Sequence, residues 1–299
     1  MSAPVGSSEL GSTAGLEPPP FHSLTFFFCF HVNQPLPNAS NIYKIDGSIQ
    51  VPYHYLPITD HDGIRLVVLH PSPDKAAAVQ CQIIHTTLRQ AQQDIYDHYT
   101  ALSYVWGDAN DTTSISVDGY PLRVTKNLEC ALRHRRDDKR SLNVWADGIC
   151  IDQQDDAEKS RQVEQMGQVY ETATHTIIFL GEGDRSGESM ISRVLARSEG
   201  TSFVPIEEHH EDTVEVLHQL LSCGWFYRVW IFQELVLSRD PIVQYGRFRF
   251  SWHTLCKIAN FVEFQLKEKR SEPGRWDSFS LLSSRNTSLQ GGLNLRQYN

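Results

Sequence analysis

Three short apolar runs, each followed by a change of pattern, constrain this chain more than any other feature. They are Tyr99 to Gly107 (YTALSYVWG), Leu142 to Ile151 (LNVWADGICI) and Thr174 to Leu180 (THTIIFL). A strand wetted on one face alternates apolar and polar residues, whereas these runs are apolar nearly throughout. Such runs fit strands covered on both faces, as in a parallel sheet between helix layers. The segments between them suit helices. Asn127 is a candidate N-cap, with Leu128, Ala131 and Leu132 on one face. Asp155 and Glu158 have capping-box spacing ahead of an apolar stripe at Val163, Met166, Val169 and Tyr170. The alternation predicts an α/β fold, a mostly parallel sheet flanked by helices.

Further elements surround this frame. Ile64 to Leu69 and Val79 to Leu88 read as strands. Ser114 to Val124 reads as an inserted β-hairpin turning at Asp118-Gly119, where glycine takes a positive φ at no steric cost. Helices are expected at 189–196, 213–221 and 225–237, and strand character returns over 241–250. Residues 1–50 are rich in Ser, Pro, Gly and Asn and read as a loosely ordered leader. The folded domain is expected over 53–265, with a polar tail over 266–299.

Composition excludes some function classes. The formal net charge is -9, which disfavours nucleic acid as a partner, and no basic stripe is expected to offset it. The six cysteines are dispersed, with no C-x-x-C pair, so neither a disulfide framework nor a metal site is expected. That usage suits a reducing compartment and a cytoplasmic protein. Leu24 to His31 (LTFFFCFH) is too short to span a bilayer, and no Lys or Arg precedes it as in a secretory signal. It reads either as a strand docking on the domain or as a segment touching a membrane surface; no stable membrane span is expected.

Ligands of open α/β sheets bind outside the carboxyl ends of the strands. The first run ends on Ser103, Tyr104, Trp106 and Gly107, the second on Asp147, Cys150, Asp152 and Gln153, the third on Gly181, Glu182 and Asp184. Each also has a structural reading: Trp106 plugging the sheet edge, Ser103 as a small core residue, Asp147 capping a helix or pairing with an arginine, Cys150 as a small buried hydrophobe. Glu234 lies in RVWIFQELVLS, a strongly apolar segment, where a lone acid is costly unless paired or functional. Arg228 is six positions away, not the spacing of a helical ion pair. A buried structural pair and a functional carboxylate both remain open. No nucleophile elbow or Walker loop is present, and Gly181, Gly183 and Gly187 do not match a dinucleotide loop.

Three blocks together resemble the heterokaryon-incompatibility (HET) domain of filamentous fungi: YTALSYVWG at 99–107, VWADGICIDQ and its helix over 144–173, and RVWIFQEL at 228–235. The resemblance extends over about residues 53–260, with Gly148 standing where the family more often has alanine. It implies a role in fungal non-self recognition and programmed cell death, through protein partners or self-association. HET domains are also remotely similar to TIR domains, which implies a flavodoxin-like sheet. By that analogy Glu234 would be the catalytic carboxylate of an NAD glycohydrolase, with NAD as substrate rather than cofactor. Ser103, Tyr104, Trp106, Gly107, Asp147 and Trp230 would then line the substrate site. The inserted hairpin has no TIR counterpart.

Overall fold

A computed structural model describes residues 43–45, 48–94, 98–183, 187–189, 191–192, 210–228 and 231–268. Two short strands, β1 (Tyr43–Ile45) and β2 (Ser48–Gln50), pair antiparallel. Nine more form one sheet: β3 (Gly63–Leu69), β4 (Gln80–Thr87), β5 (Tyr99–Tyr104), β6 (Thr112–Val117), β7 (Tyr120–Thr125), β8 (Leu142–Trp145), β9 (His175–Phe179), β10 (Pro241–Tyr245) and β11 (Phe248–Ser251). Their spatial order is β11-β10-β9-β5-β8-β3-β4-β6-β7. The helices are α1 (Leu88–Gln93), α2 (Lys126–Arg135), α3 (Asp147–Cys150), α4 (Asp156–Thr172), α5 (His210–Leu221), α6 (Ile231–Val236) and α7 (Trp252–Glu268).

The centre of the sheet is parallel. β8, β5, β9 and β10 all run the same way. In chain order β5 comes first, β8 second, β9 third and β10 fourth. The spatial sequence is therefore second, first, third, fourth, the winding of flavodoxin-like sheets. The direction of winding reverses between β5 and β9, so a crevice is expected at their carboxyl ends. Antiparallel strands extend both flanks, β3 beside β8 and β11 beside β10. The hairpin β6–β7 does not stand apart; β6 pairs parallel with β4 and continues the sheet. Its turn lies at Asp118 and Gly119, both at positive φ.

Burial explains the apolar runs. All six residues of β5 are buried, because helices cover both faces of the central strand. Ile178 and Val243 pack with Val216, Leu217, Ile231 and Leu255 of α5, α6 and α7 in one cluster. A larger cluster joins β3, β5 and β8 to α2 and α4.

Several local expectations are corrected. The run at 142–151 is a strand only to Trp145. From Asp147 it closes one helical turn, with the Cys150 N–H donating to Ala146 O at 2.8 Å. Ile149 and Cys150 are fully buried in this turn, and burial selects the same apolar residues for a covered strand, so composition does not separate the two. The N-cap of α2 is Thr125, whose hydroxyl accepts from Leu128 N–H, while Asn127 donates to Val105 O. Asp155 caps α4 through Ala157 and Glu158 N–H, but the Glu158 carboxylate does not reach back. It binds the buried Arg65 at 2.5 and 2.8 Å and accepts from Asp152 N–H. Arg65 also donates to Cys150 O, so β3 clamps the α3 turn from below. The helix expected over 225–237 is broken into a 3₁₀ turn at Gly224–Tyr227 and α6, with 229–230 outside the described residues. The helix expected at 189–196 falls largely outside them too. Helix α7 was unforeseen; its Leu255, Cys256, Ile258 and Ala259 are buried at helical spacing.

Candidate functional site

The carboxyl end of β5 carries the chemistry-bearing residues on both sides of the sheet. Side chains alternate along a strand, so Ser103 and Tyr104 face opposite ways. Ser103 meets the segment that follows α5. Its hydroxyl donates to Glu234 Oε2 and accepts from Trp225 Nε1 at 2.6 Å. Glu234 is 1% exposed. Its carboxylate takes Arg228 in a bidentate pair, Nη1 to Oε2 at 3.0 Å and Nη2 to Oε1 at 2.9 Å. Spacing in sequence suggested no pairing because it assumed one helix. The 3₁₀ turn ends at Tyr227, Arg228 is extended, and α6 starts afresh at Ile231, so a separation of six residues closes into an ion pair.

Tyr104 reaches the other group. Its hydroxyl and Trp106 Nε1, the latter at 2.8 Å, both donate to Asp147. Asp147 stands at the start of α3, immediately beyond β8, and its second oxygen accepts from Gly148 N–H. Trp106 and Asp147 are partly exposed, whereas Tyr104 is buried. Gly107 is exposed and at positive φ, turning the chain away from the sheet.

The two groups act on one another through charge. Burial raises the Glu234 carboxyl above its ordinary value, Arg228 opposes this, and Asp147 adds to it. Burial likewise raises Asp147, against the pull of Arg228. Burial disfavours the Arg228 charge, but Glu234 and Asp147 outweigh that and hold it above its usual value. One guanidinium, 18% exposed, thus serves two carboxylates. Such an arrangement can hold its segment rigidly, and it leaves an anionic surplus that a cationic or hydrogen-bond-donating group would relieve.

The other strand-end candidates have structural partners. Cys150 is fully buried and its thiol is pushed up to about 12 by burial, which marks an inert thiol. Gln153 donates to Asp147 O and Ile151 O and braces the α3 turn. Asp152 accepts from Gln154 N–H. Glu182 is exposed, and Asp184 and Trp230 lie outside the described residues. The structure therefore brings Ser103 and Glu234 into direct contact, and Tyr104, Trp106 and Asp147 into a second contact set. Trp225 and Arg228 were missed as members; an indole and a guanidinium beside a lone buried acid were the available signal. Among the described residues no group of three or more His, Cys, Asp or Glu is placed to hold a metal. No helix among them is long and apolar enough to cross a membrane.

Residues 99–234 match the family model described as Heterokaryon incompatibility protein (HET). That segment is similar to the HET domain. The matched segment opens on the first residue of β5 and closes on Glu234, so its two ends meet in the Ser103–Glu234 hydrogen bond. The chain is also similar to a curated protein, heterokaryon incompatibility protein 6, OR allele, of Neurospora crassa. It is 28% identical over 252 residues, covering 69% of this chain and 36% of the relative. The chain thus spans little more than a third of the length of that relative. No solved structure matches it.

Proposed function

We propose that this chain acts in heterokaryon incompatibility as a signalling module in the cytoplasm, working through protein partners or copies of itself. The observation that carries the reading is the convergence of blocks 131 residues apart on one buried network, Ser103–Trp225–Arg228–Glu234, inside a segment that matches the HET family. A network so buried fixes the outer surface of its own segment. There Tyr227 is 70% exposed and Phe232 56% exposed, aromatic area suited to a protein partner. Expression of the full chain in a filamentous fungus tests this, with colony growth and vital-dye exclusion as readouts. Growth arrest is expected from the native chain and its loss from Tyr227→Ala/Phe232→Ala. An unimpaired colony at matched protein level, or full arrest by that variant, would refute the reading.

A second reading, cleavage of the nicotinamide–ribose bond of NAD by Glu234, is favoured by one observation. Ser103 and Glu234 sit at the carboxyl end of β5, where the winding reverses and ligands of such sheets bind. An oxocarbenium-like transition state needs an anionic carboxylate beside the ribose. Glu234 is buried with both oxygens engaged by Arg228, so this chemistry requires the guanidinium to move. Nicotinamide release by the purified chain, abolished in Glu234→Gln, is the expected result. Absence of release at millimolar NAD would eliminate it.

A further inference from the structure

Strand β4 is paired along the whole of one side and along only the start of the other. Its inner side meets β3 from Cys81, opposite Leu69, to Thr87, opposite Gly63. On its outer side β6 pairs with Gln80 and Cys81, and the chain then turns away through Asp118 and Gly119. The bonds show which residues face outward. Val79 O accepts Ser116 N–H, Cys81 O accepts Asp118 N–H, and Ile83 N–H donates to the Asp118 carboxylate at 3.4 Å. Gln80 O instead accepts His70 N–H on the β3 side. Peptide groups alternate in direction along a strand, so His85 faces outward as Ile83 does. Thr87 N–H is taken by Gln90 Oε1 at 3.2 Å. Among the described residues nothing pairs with Ile83 C=O, His85 N–H or His85 C=O.

The two end strands of the sheet are guarded, and this stretch is not. β7 carries Pro121, which has no N–H and whose C=O accepts Tyr53 N–H at 2.9 Å, and then Arg123. β11 is four residues long, carries Arg249, and ends on Ser251, whose hydroxyl accepts Thr254 N–H at the start of α7. Proline, charge and brevity are ordinary defences of an edge. The open stretch of β4 reads Ile83-Ile84-His85-Thr86, largely β-branched, with Ile84 40% exposed. Burial lowers the His85 imidazole from its ordinary value, and Arg65 opposite it in the ladder adds to this, so near pH 7 the stretch carries no charge. At its near end stands one exposed carboxylate, that of Asp118.

We infer that the outer side of β4 over residues 83–86 takes an extended segment of a partner protein as an added strand, with a basic residue at the end beside Asp118. Unpaired peptide groups at strand spacing are matched by another peptide backbone. In antiparallel addition one partner residue exchanges both bonds with His85, and the residue two further along gives its N–H to Ile83 C=O. The carboxyl-terminal end of the added strand then lies beside Asp118, whose charge favours Lys or Arg. The side chains between face Ile84 and Thr86, where β-branched residues pair well. A second copy of the chain fits less well. Pairing two copies about His85 sets Cys81 of one opposite Arg89 of the other, so the Asp118 turn bonded to Cys81 would meet the first turn of α1. The stretch is separate from Tyr227 and Phe232, and binding there is measured without the growth assay.

The probe is a fluorescein-labelled peptide, Thr-Val-Thr-Val-Lys, blocked at both ends and titrated with the full chain by fluorescence anisotropy. Its central Thr falls opposite His85, its valines face Ile84 and Thr86, and its Lys lies beside Asp118. Saturable binding is expected, weakened about tenfold by His85→Pro, the scale of one hydrogen bond. That variant deletes the outward N–H and leaves the β3 ladder its own donors. Asp118→Asn should also weaken binding, because Asn keeps the left-handed turn at φ 52° and removes the charge. A peptide ending in Glu instead of Lys should bind less. Thermal melts establish that each variant folds. A peptide N-methylated at its central Thr deletes the donor to His85 C=O and makes the same test on native protein. No saturable binding at millimolar peptide, or binding that folded His85→Pro and N-methylation leave unchanged, would overturn the proposal. Concentration-dependent self-association that His85→Pro abolishes would overturn it in favour of a second copy.

Discussion

Removing Arg228 should harm this protein more than removing the carboxylate that Arg228 holds. In Arg228→Gln the Glu234 side chain keeps its buried position and loses both guanidinium bonds, the pair at 2.9 and 3.0 Å. The hydroxyl of Ser103 is then the remaining donor seen among the described residues. Stranding a buried charge in this way costs about 3–5 kcal/mol. That is a large part of the roughly 5–15 kcal/mol that holds a domain folded. Glu234→Gln strands the opposite partner, but Arg228 is 18% exposed and water can take its donors. The cost there falls to about 1–3 kcal/mol, the range for a lost hydrogen bond to a charged group. The double variant should be more stable than Arg228→Gln alone, since no buried charge is left unpaired. The difference also carries a pH signature. Burial raises Glu234 in the fold and Arg228 opposes it, so losing Arg228 raises the carboxyl further above its unfolded value. A carboxyl raised on folding favours the native state when protonated and disfavours it as pH rises through the folded value. The deficit of Arg228→Gln should therefore shrink on acidification from pH 7 towards the ordinary carboxyl range. Urea denaturation followed by tryptophan fluorescence at several pH values measures all three variants. The reasoning fails if Glu234→Gln is the less stable single variant, or if the Arg228→Gln deficit is flat with pH.

Ser103→Ala should cost about 1–3 kcal/mol, because it leaves the buried Trp225 N–H without its acceptor, and urea midpoints read this directly. Gly148→Ala should destabilise by about 1–3 kcal/mol and disturb Asp147, since the new Cβ would clash with Tyr104 Oη, the group that donates to Asp147; near-ultraviolet circular dichroism and melting would show both. A fragment limited to 99–234 should not fold cooperatively, whereas 53–268 should. The shorter piece strips β3 from β8 and β10 from β9, exposing the edges of the central sheet, and circular dichroism melts of both pieces decide the matter.

Much of the frame was legible because period and burial leave marks on composition. β5 and β9 were readable as fully covered strands, and Asp118-Gly119 as a hairpin turn, since those residue types follow from local geometry. The end of β8 was not readable. Ala146 to Ile151 is apolar whether it extends a strand or closes a turn, and only the absence of further ladder partners decides. Helix α7 was hidden for a related reason: its apolar positions follow directly on a strand, with no break in hydrophobicity.

By itself the sequence determined the α/β class, the order of the central strands, the resemblance to a family and the identity of one acid that needed explanation. It could do so because those properties are local or additive along the chain. Which groups meet was decided by the tertiary structure alone. Glu234 found Arg228 because the segment between them is not one helix, and found Ser103 because the sheet winds back past β5. Pairing energies depend on distance and burial, and neither is written in the spacing of residues along a chain.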